Sequence, residues 1–139
     1  MPIESILLEK LNDGIVSGPL LNLTRRDAEL PRIAGKVHAV IGMRRAGKSC
    51  FLRQLQSEMH RTMPPERAVY VSFDDDRLAN LNIDQLGLLL EEYYRRYPES
   101  RGRETVHWFF DEILLVEGWE RFVRRVIDSE RVEIVVSGS

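Results

Sequence analysis

The chain has 139 residues, enough for one compact domain with a hydrophobic core. Its 22 acidic and 20 basic residues leave a formal net charge of −2, which argues against a generally nucleic-acid-binding or membrane-bound surface. A single cysteine, Cys50, excludes an internal disulfide and suits a reducing compartment. The start lacks the basic residues and apolar run of a secretory signal, and no segment approaches the roughly 20 apolar residues that span a bilayer. A cytoplasmic protein without membrane contact is expected.

Ile3, Ile6, Leu7 and Leu11 recur at helical spacing, and Asp13-Gly14 supplies a stop. A turn-rich stretch with Gly18-Pro19 and the arginine-bearing "LTRRDAELPRIAGK" follow. Residues 1–34 are therefore expected to form a helix and connector beside a main domain at 35–139. Val37 to Ile41 predicts a strand, and Gly47 to about Arg61 a helix with Phe51, Leu52, Leu55 and Met59 on one face. Ala68 to Phe73 predicts a second strand, closed by Asp74, Asp75 and Asp76. Asp84 is placed to cap a helix carrying Leu86, Leu89, Leu90, Tyr93 and Tyr97.

Val106 to Phe110 predicts a third strand, ending at Asp111-Glu112. After Gly118, an apolar stripe of Trp119, Phe122, Val123, Val126 and Ile127 predicts a helix with Arg121, Arg124 and Arg125 facing water. Val132 to Val136 predicts a fourth strand before "SGS". Strands alternating with helices imply an α/β fold with a mainly parallel sheet. Such folds place ligands at the carboxyl edge of the sheet, where this chain stops, so a fragment of a longer protein is expected.

Gly42-x-x-x-x-Gly47-Lys48-Ser49 matches the Walker A pattern and lies between a predicted strand and a predicted helix. The two glycines let the backbone curl so that successive N–H groups converge on phosphate oxygens. Lys48 brings a flexible cation to the β and γ phosphates, and the Ser49 hydroxyl suits Mg2+. The positive end of the helix dipole faces the same anion. The nucleotide-binding set is Gly42, Arg45, Ala46, Gly47, Lys48, Ser49 and Cys50, with Ser139 from the fourth strand end. The side chains of Arg44 and Arg45 either point outward as solvated cations or meet a neighbouring domain, subunit or acidic group.

"VHWFFDE" is an apolar strand ending in two carboxylates, as in a Walker B element. Asp111 is the expected metal ligand, through water or through the Ser49 shell. Glu112, one residue later, is placed to orient or deprotonate an attacking water. A base beside the metal favours ATP hydrolysis over transfer to a metabolite. Ser137 and Ser139 either offer hydroxyls to the γ phosphate or its water, or make a polar turn. Asp74, Asp75 and Asp76 either cap a turn or adjust Glu112. Cys50 reads as a small buried residue, and His38, His60 and His107 are scattered.

Taken in order, "VIGMRRAGKSCFLRQL", "AVYVSFDD", "HWFFDEILLVEGWERFVRRVID" and "IVVSGS" resemble AAA-superfamily ATPases of bacteria and archaea with paired arginines in the phosphate loop. The resemblance covers about Gly35 to Ser139. It implies a three-layer P-loop core of the additional-strand type, truncated after its fourth strand, that binds ATP and Mg2+. Onto this sequence it places Lys48 and Ser49 at the phosphates and metal, Asp111 at Mg2+, Glu112 at the water, and Ser137 or Ser139 in the sensor region. The family commonly has Gln where this chain has Leu114, and it continues into a fifth strand and a C-terminal domain.

The expected function is Mg2+-dependent ATP hydrolysis, with Glu112 and Lys48 catalytic, coupled to a conformational change read by that C-terminal domain. The alternative is a nucleotide-dependent switch or scaffold with little turnover. A homo-oligomer is a further partner expectation. A DNA-associated motor lacks support, because no basic groove with stacking aromatics is evident.

Overall fold

The computed structural model describes residues 2–15, 37–41 and 45–138, with side chains for 2–15 and 50–138. The expectations for the connector with Gly18-Pro19, and for Gly42, Arg44 and Ser139, lie outside the described residues. Four strands, β1 (Val37–Ile41), β2 (Ala68–Ser72), β3 (Val106–Asp111) and β4 (Val132–Gly138), form one parallel sheet in the order β1-β4-β3-β2. Helices α1 (Ile3–Ile15), α3 (Ile83–Arg96) and α4 (Trp119–Ser129) cover one face, and α2 (Arg45–His60) covers the other. This is a three-layer α/β arrangement.

Strand alternation divides the core. Val69, Val71, Val106, Trp108, Phe110, Val132, Ile134 and Val136 face α1, α3 and α4, whereas Ala68, Tyr70, Phe109 and Val135 face α2. The α2 stripe of Phe51, Leu52, Leu55 and Met59 is buried as the periodicity predicts. On α4, Phe122, Val123 and Val126 are buried, Trp119 and Ile127 pack against them, and Arg121, Arg124 and Arg125 are exposed. Burying one large apolar side chain is worth about 1.5–3 kcal/mol, so these stripes hold the helices to the sheet.

Two helix boundaries differ from expectation. Asn82, not Asp84, caps α3: its Oδ1 accepts from the Gln85 N–H at 2.9 Å, and its own N–H donates to Gln85 Oε1 at 3.1 Å. This reciprocal pair satisfies two end donors, and Asp84 lies inside the first turn. Helix α1 runs past Asp13-Gly14 to Ile15.

Instead of stopping α1, Gly14 permits a close contact. A Cβ built there would sit 2.0 Å from the Tyr70 carbonyl oxygen, on the outer side of edge strand β2. The buried Gln56 on α2 donates to the Gly14 and Ala68 carbonyls at 2.6 and 3.0 Å, and His60 Nε2 lies 2.9 Å from the Ala68 oxygen. The unpaired edge is thereby covered. Helix α1 also buries Ile6, Leu7 and Leu11 in the main core, so it is built into the sheet's packing.

Ion pairs secure the surface of this assembly. Lys10 and Arg77 reach Asp75 at 3.0 and 2.8 Å, and Arg77 also reaches Glu9 at 3.3 Å, which ties α1 to the turn after β2. The Arg77 guanidinium, helped by Lys10, holds the Asp75 carboxyl well below the usual range. On α3, Arg95 first and then Arg96 hold the Glu92 carboxyl at about 2, against an ordinary 4.5. A depressed carboxyl contributes stability that is present above its unfolded value and lost as pH falls through its folded one. The urea midpoint is therefore expected to fall as pH drops from 4.5 toward 2, less steeply in Glu92→Gln. An identical slope in that variant would reject the assignment. Among the described residues, no helix is long and apolar enough to cross a membrane.

Candidate functional site

Parallel pairing brings every strand's carboxyl end to one edge. Ile41 at the end of β1 lies opposite Gly138 of β4, Val40 lies opposite Ser137, and β3 ends beside them at Asp111. The strand carrying Ser137 thus lies between the strand before the glycine loop and the strand carrying the carboxylates. β1 is the strand that precedes α2 in the chain.

Helix α2 begins at Arg45, two residues before the expected start at Gly47. Arg and Ala are good helix formers and extend the helix ahead of the glycine. First-turn amides have no intrahelical acceptor, and those of Arg45, Ala46 and Gly47 stand at the positive end of the helix dipole. Cys50 is the sixth residue of α2, two positions further in than expected, and its free thiol is half-buried rather than buried. The side chains of Arg45, Lys48 and Ser49 lie outside the described ones.

Asp111 and Glu112 are 2% and 3% exposed, so both carboxyls are withdrawn from bulk water. Alternation along β3 puts Asp111 on the α2 side, with Phe109. Ser137 on β4 donates its hydroxyl proton to Asp111 Oδ1 at 2.6 Å and accepts the Glu112 N–H at 3.0 Å. A serine hydroxyl has one proton, so this bond to Asp111 leaves Ser137 only an acceptor lone pair for other partners. Ser137 fastens the two acidic residues and lies inside β4, where a polar turn was the other expectation. The Tyr70 hydroxyl donates to Asp111 Oδ2, and the Phe73 N–H donates to the Asp111 carbonyl at 2.8 Å.

Glu112 has φ +59° and ψ 33°, the left-handed region, and is the one such non-glycine among the described residues. That conformation costs on the order of 1–3 kcal/mol and persists only where surroundings impose it. Here the Ser137 bond to its N–H and the tight turn over Ile113–Leu115 impose it. Leu114 is partly exposed and covers Gly138, where a Cβ would meet its side chain at 2.4 Å. Asp75 accepts the Arg77 N–H at 2.9 Å and caps the turn after β2. His60 faces the Ala68 carbonyl, and His107 lies 3.8 Å from the buried Glu133.

Sequence reasoning missed Tyr70. The available signal was a tyrosine at an α2-facing position of "AVYVS", where its neighbours on the strand are small or aliphatic.

The parallel α/β fold agrees with comparisons to known proteins. A family model described as "AAA domain" matches residues 34–139. An uncharacterized protein of Methanocaldococcus jannaschii is 32% identical over 137 residues, covering 98% of this chain and 29% of the relative. An uncharacterized protein of Haemophilus influenzae is 29% identical over 105 residues, covering 74% of this chain and 25% of the relative. The chain thus spans less than a third of either relative's length. No solved structure matches it. With a parallel α/β sheet, a Walker A sequence after β1 and the family model over most of its length, the chain belongs to the AAA domain family of P-loop proteins.

Proposed function

We propose that this chain binds ATP with Mg2+ and hydrolyses it, as the nucleotide-handling part of a longer protein. The observation that carries the proposal is the buried Asp111-Glu112 pair, fastened by Ser137 at the edge where β1 leads into α2. The position of β4 between β1 and β3 supports a P-loop core of the additional-strand type. First-turn amides of Arg45, Ala46 and Gly47, with Gly42, Lys48, Ser49, Cys50 and Ser139, make up the proposed nucleotide set.

The donor chemistry fits a hard divalent cation: an oxygen-only carboxylate on Asp111 and the hydroxyl of Ser49. When bound, Mg2+ would neutralise phosphate charge, and Asp111 with Ser49 would hold it. Lys48 would bind the β and γ phosphates. Glu112 would hold a water by its carboxylate and take its proton. Burial of both carboxyls limits competing bulk water around them. The work would be a conformational change passed to a C-terminal domain or to another copy of the chain, in the cytoplasm. Nothing in the charge balance calls for nucleic acid.

Steady-state phosphate release from ATP by the full-length protein tests the proposal. Turnover with Mg2+ that vanishes in excess EDTA and returns with added Mg2+ is expected. Turnover indifferent to EDTA would reject it.

A further inference from the structure

The Tyr70 hydroxyl is a feature that neither the glycine loop nor the acidic motif accounts for. Tyr70 is 6% exposed on β2, and its hydroxyl donates to Asp111 Oδ2 from one side. Ser137 on β4 donates to Asp111 Oδ1 from the other side, at 2.6 Å. β2 and β4 are the two strands that flank β3, so the carboxylate is oriented by hydroxyls from both neighbours. The phenol is itself held in place. The Arg53 guanidinium of α2 lies over its ring at 4.2 Å from the centroid, and Gly14 of α1 packs on its carbonyl.

Hydroxyl donors to an ionised carboxylate form short, strong bonds. Each carboxylate oxygen accepts more than one bond, so the pair orients Asp111 without exhausting it. Groups that orient a metal-holding carboxylate govern its affinity nearly as much as the ligand does. We propose that Tyr70 is a positioning residue for Asp111, and through it sets how tightly a divalent cation is held beside a bound nucleoside triphosphate. This rests on the nucleotide-site reading above.

The test uses the full-length protein, a non-hydrolysable ATP analogue and Mn2+, with bound Mn2+ read by electron paramagnetic resonance. Tyr70→Phe keeps the ring and its Arg53 contact, so the fold is retained, as circular dichroism will verify. The variant is expected to bind Mn2+ about tenfold more weakly in the presence of the analogue. Its affinity for the analogue in EDTA should stay within about twofold of wild type, since the hydroxyl acts on the metal side of the site. In an Asp111→Asn background, Tyr70→Phe should cause no further loss, because the group it positions is gone.

Mn2+ affinity unchanged by Tyr70→Phe would overturn the proposal, as would an equal tenfold loss in the Asp111→Asn background. Either result leaves the ATP site standing if wild type binds the analogue. Wild type that binds no analogue overturns the nucleotide-site reading and this proposal with it.

Discussion

Glu112→Gln is expected to lower ATP turnover by about 10²–10⁴-fold, the range for loss of a general base. Glutamine keeps the length and planarity of the side chain but has no basic oxygen to take a proton from water. The backbone at this position is left-handed and anchored by the Ser137 hydroxyl through the N–H, which the substitution leaves in place. ATP affinity should therefore stay within about twofold, because the proposed site assigns binding to the Walker A residues and Asp111 rather than to this carboxylate. Single-turnover kinetics beside equilibrium binding separates the two quantities. If the chain works as a nucleotide switch with little turnover, the wild type will already be slow and the variant will differ little from it.

The second large effect concerns stability and has a diagnostic sign. Replacing glycine by alanine inside a helix ordinarily stabilises by about 0.5–1 kcal/mol. Gly87 of α3 meets that expectation, since a Cβ there would touch only the Arg125 guanidinium at an ordinary 3.6 Å. Gly14 does not, because its Cβ would fall 2.0 Å from a backbone carbonyl oxygen that cannot swing aside. Gly14→Ala must push α1 off the edge of β2, loosening the Gln56 bonds and the burial of Leu11. A cost of about 3 kcal/mol is expected, at the upper end of overpacking effects. That corresponds to a Tm lower by roughly 10 °C for a domain of this size. Thermal denaturation of Gly14→Ala beside Gly87→Ala should show shifts of opposite sign; a stabilised Gly14→Ala would refute the close contact.

Both effects turn on contacts of different legibility in the sequence. Periodicity identified the apolar stripes of α2 and α4, because a helix repeats its face every 3.6 residues and the stripe is a local property. The Asp111-Glu112 pair was legible for the same reason: an apolar run ending in acid is visible in six or seven residues. Asn82 was passed over for Asp84 because both residue types cap helices, and only the reciprocal bond with Gln85 distinguishes them.

Gly14 reads locally as a stop, and its contact with Tyr70 is invisible until the sheet is assembled. Tyr70 and Ser137 reach Asp111 across 41 and 26 residues of chain. Strand order decides those meetings, and local composition carries little trace of them. The phosphate loop shows the converse. The Walker A pattern is plain in the residues 42–49, whereas β1 and α2 bound it in the chain without revealing what it binds.

The most direct test of the whole scheme is ATP hydrolysis by the full-length protein beside its Lys48→Ala variant, with Mg2+ present. Lys48 is the one flexible cation that the Walker A pattern assigns to the β and γ phosphates. Turnover in the wild type that falls at least about 100-fold in Lys48→Ala is the predicted result, given the weight of electrostatic stabilisation in phosphoryl chemistry. Equal rates in the two proteins would contradict it.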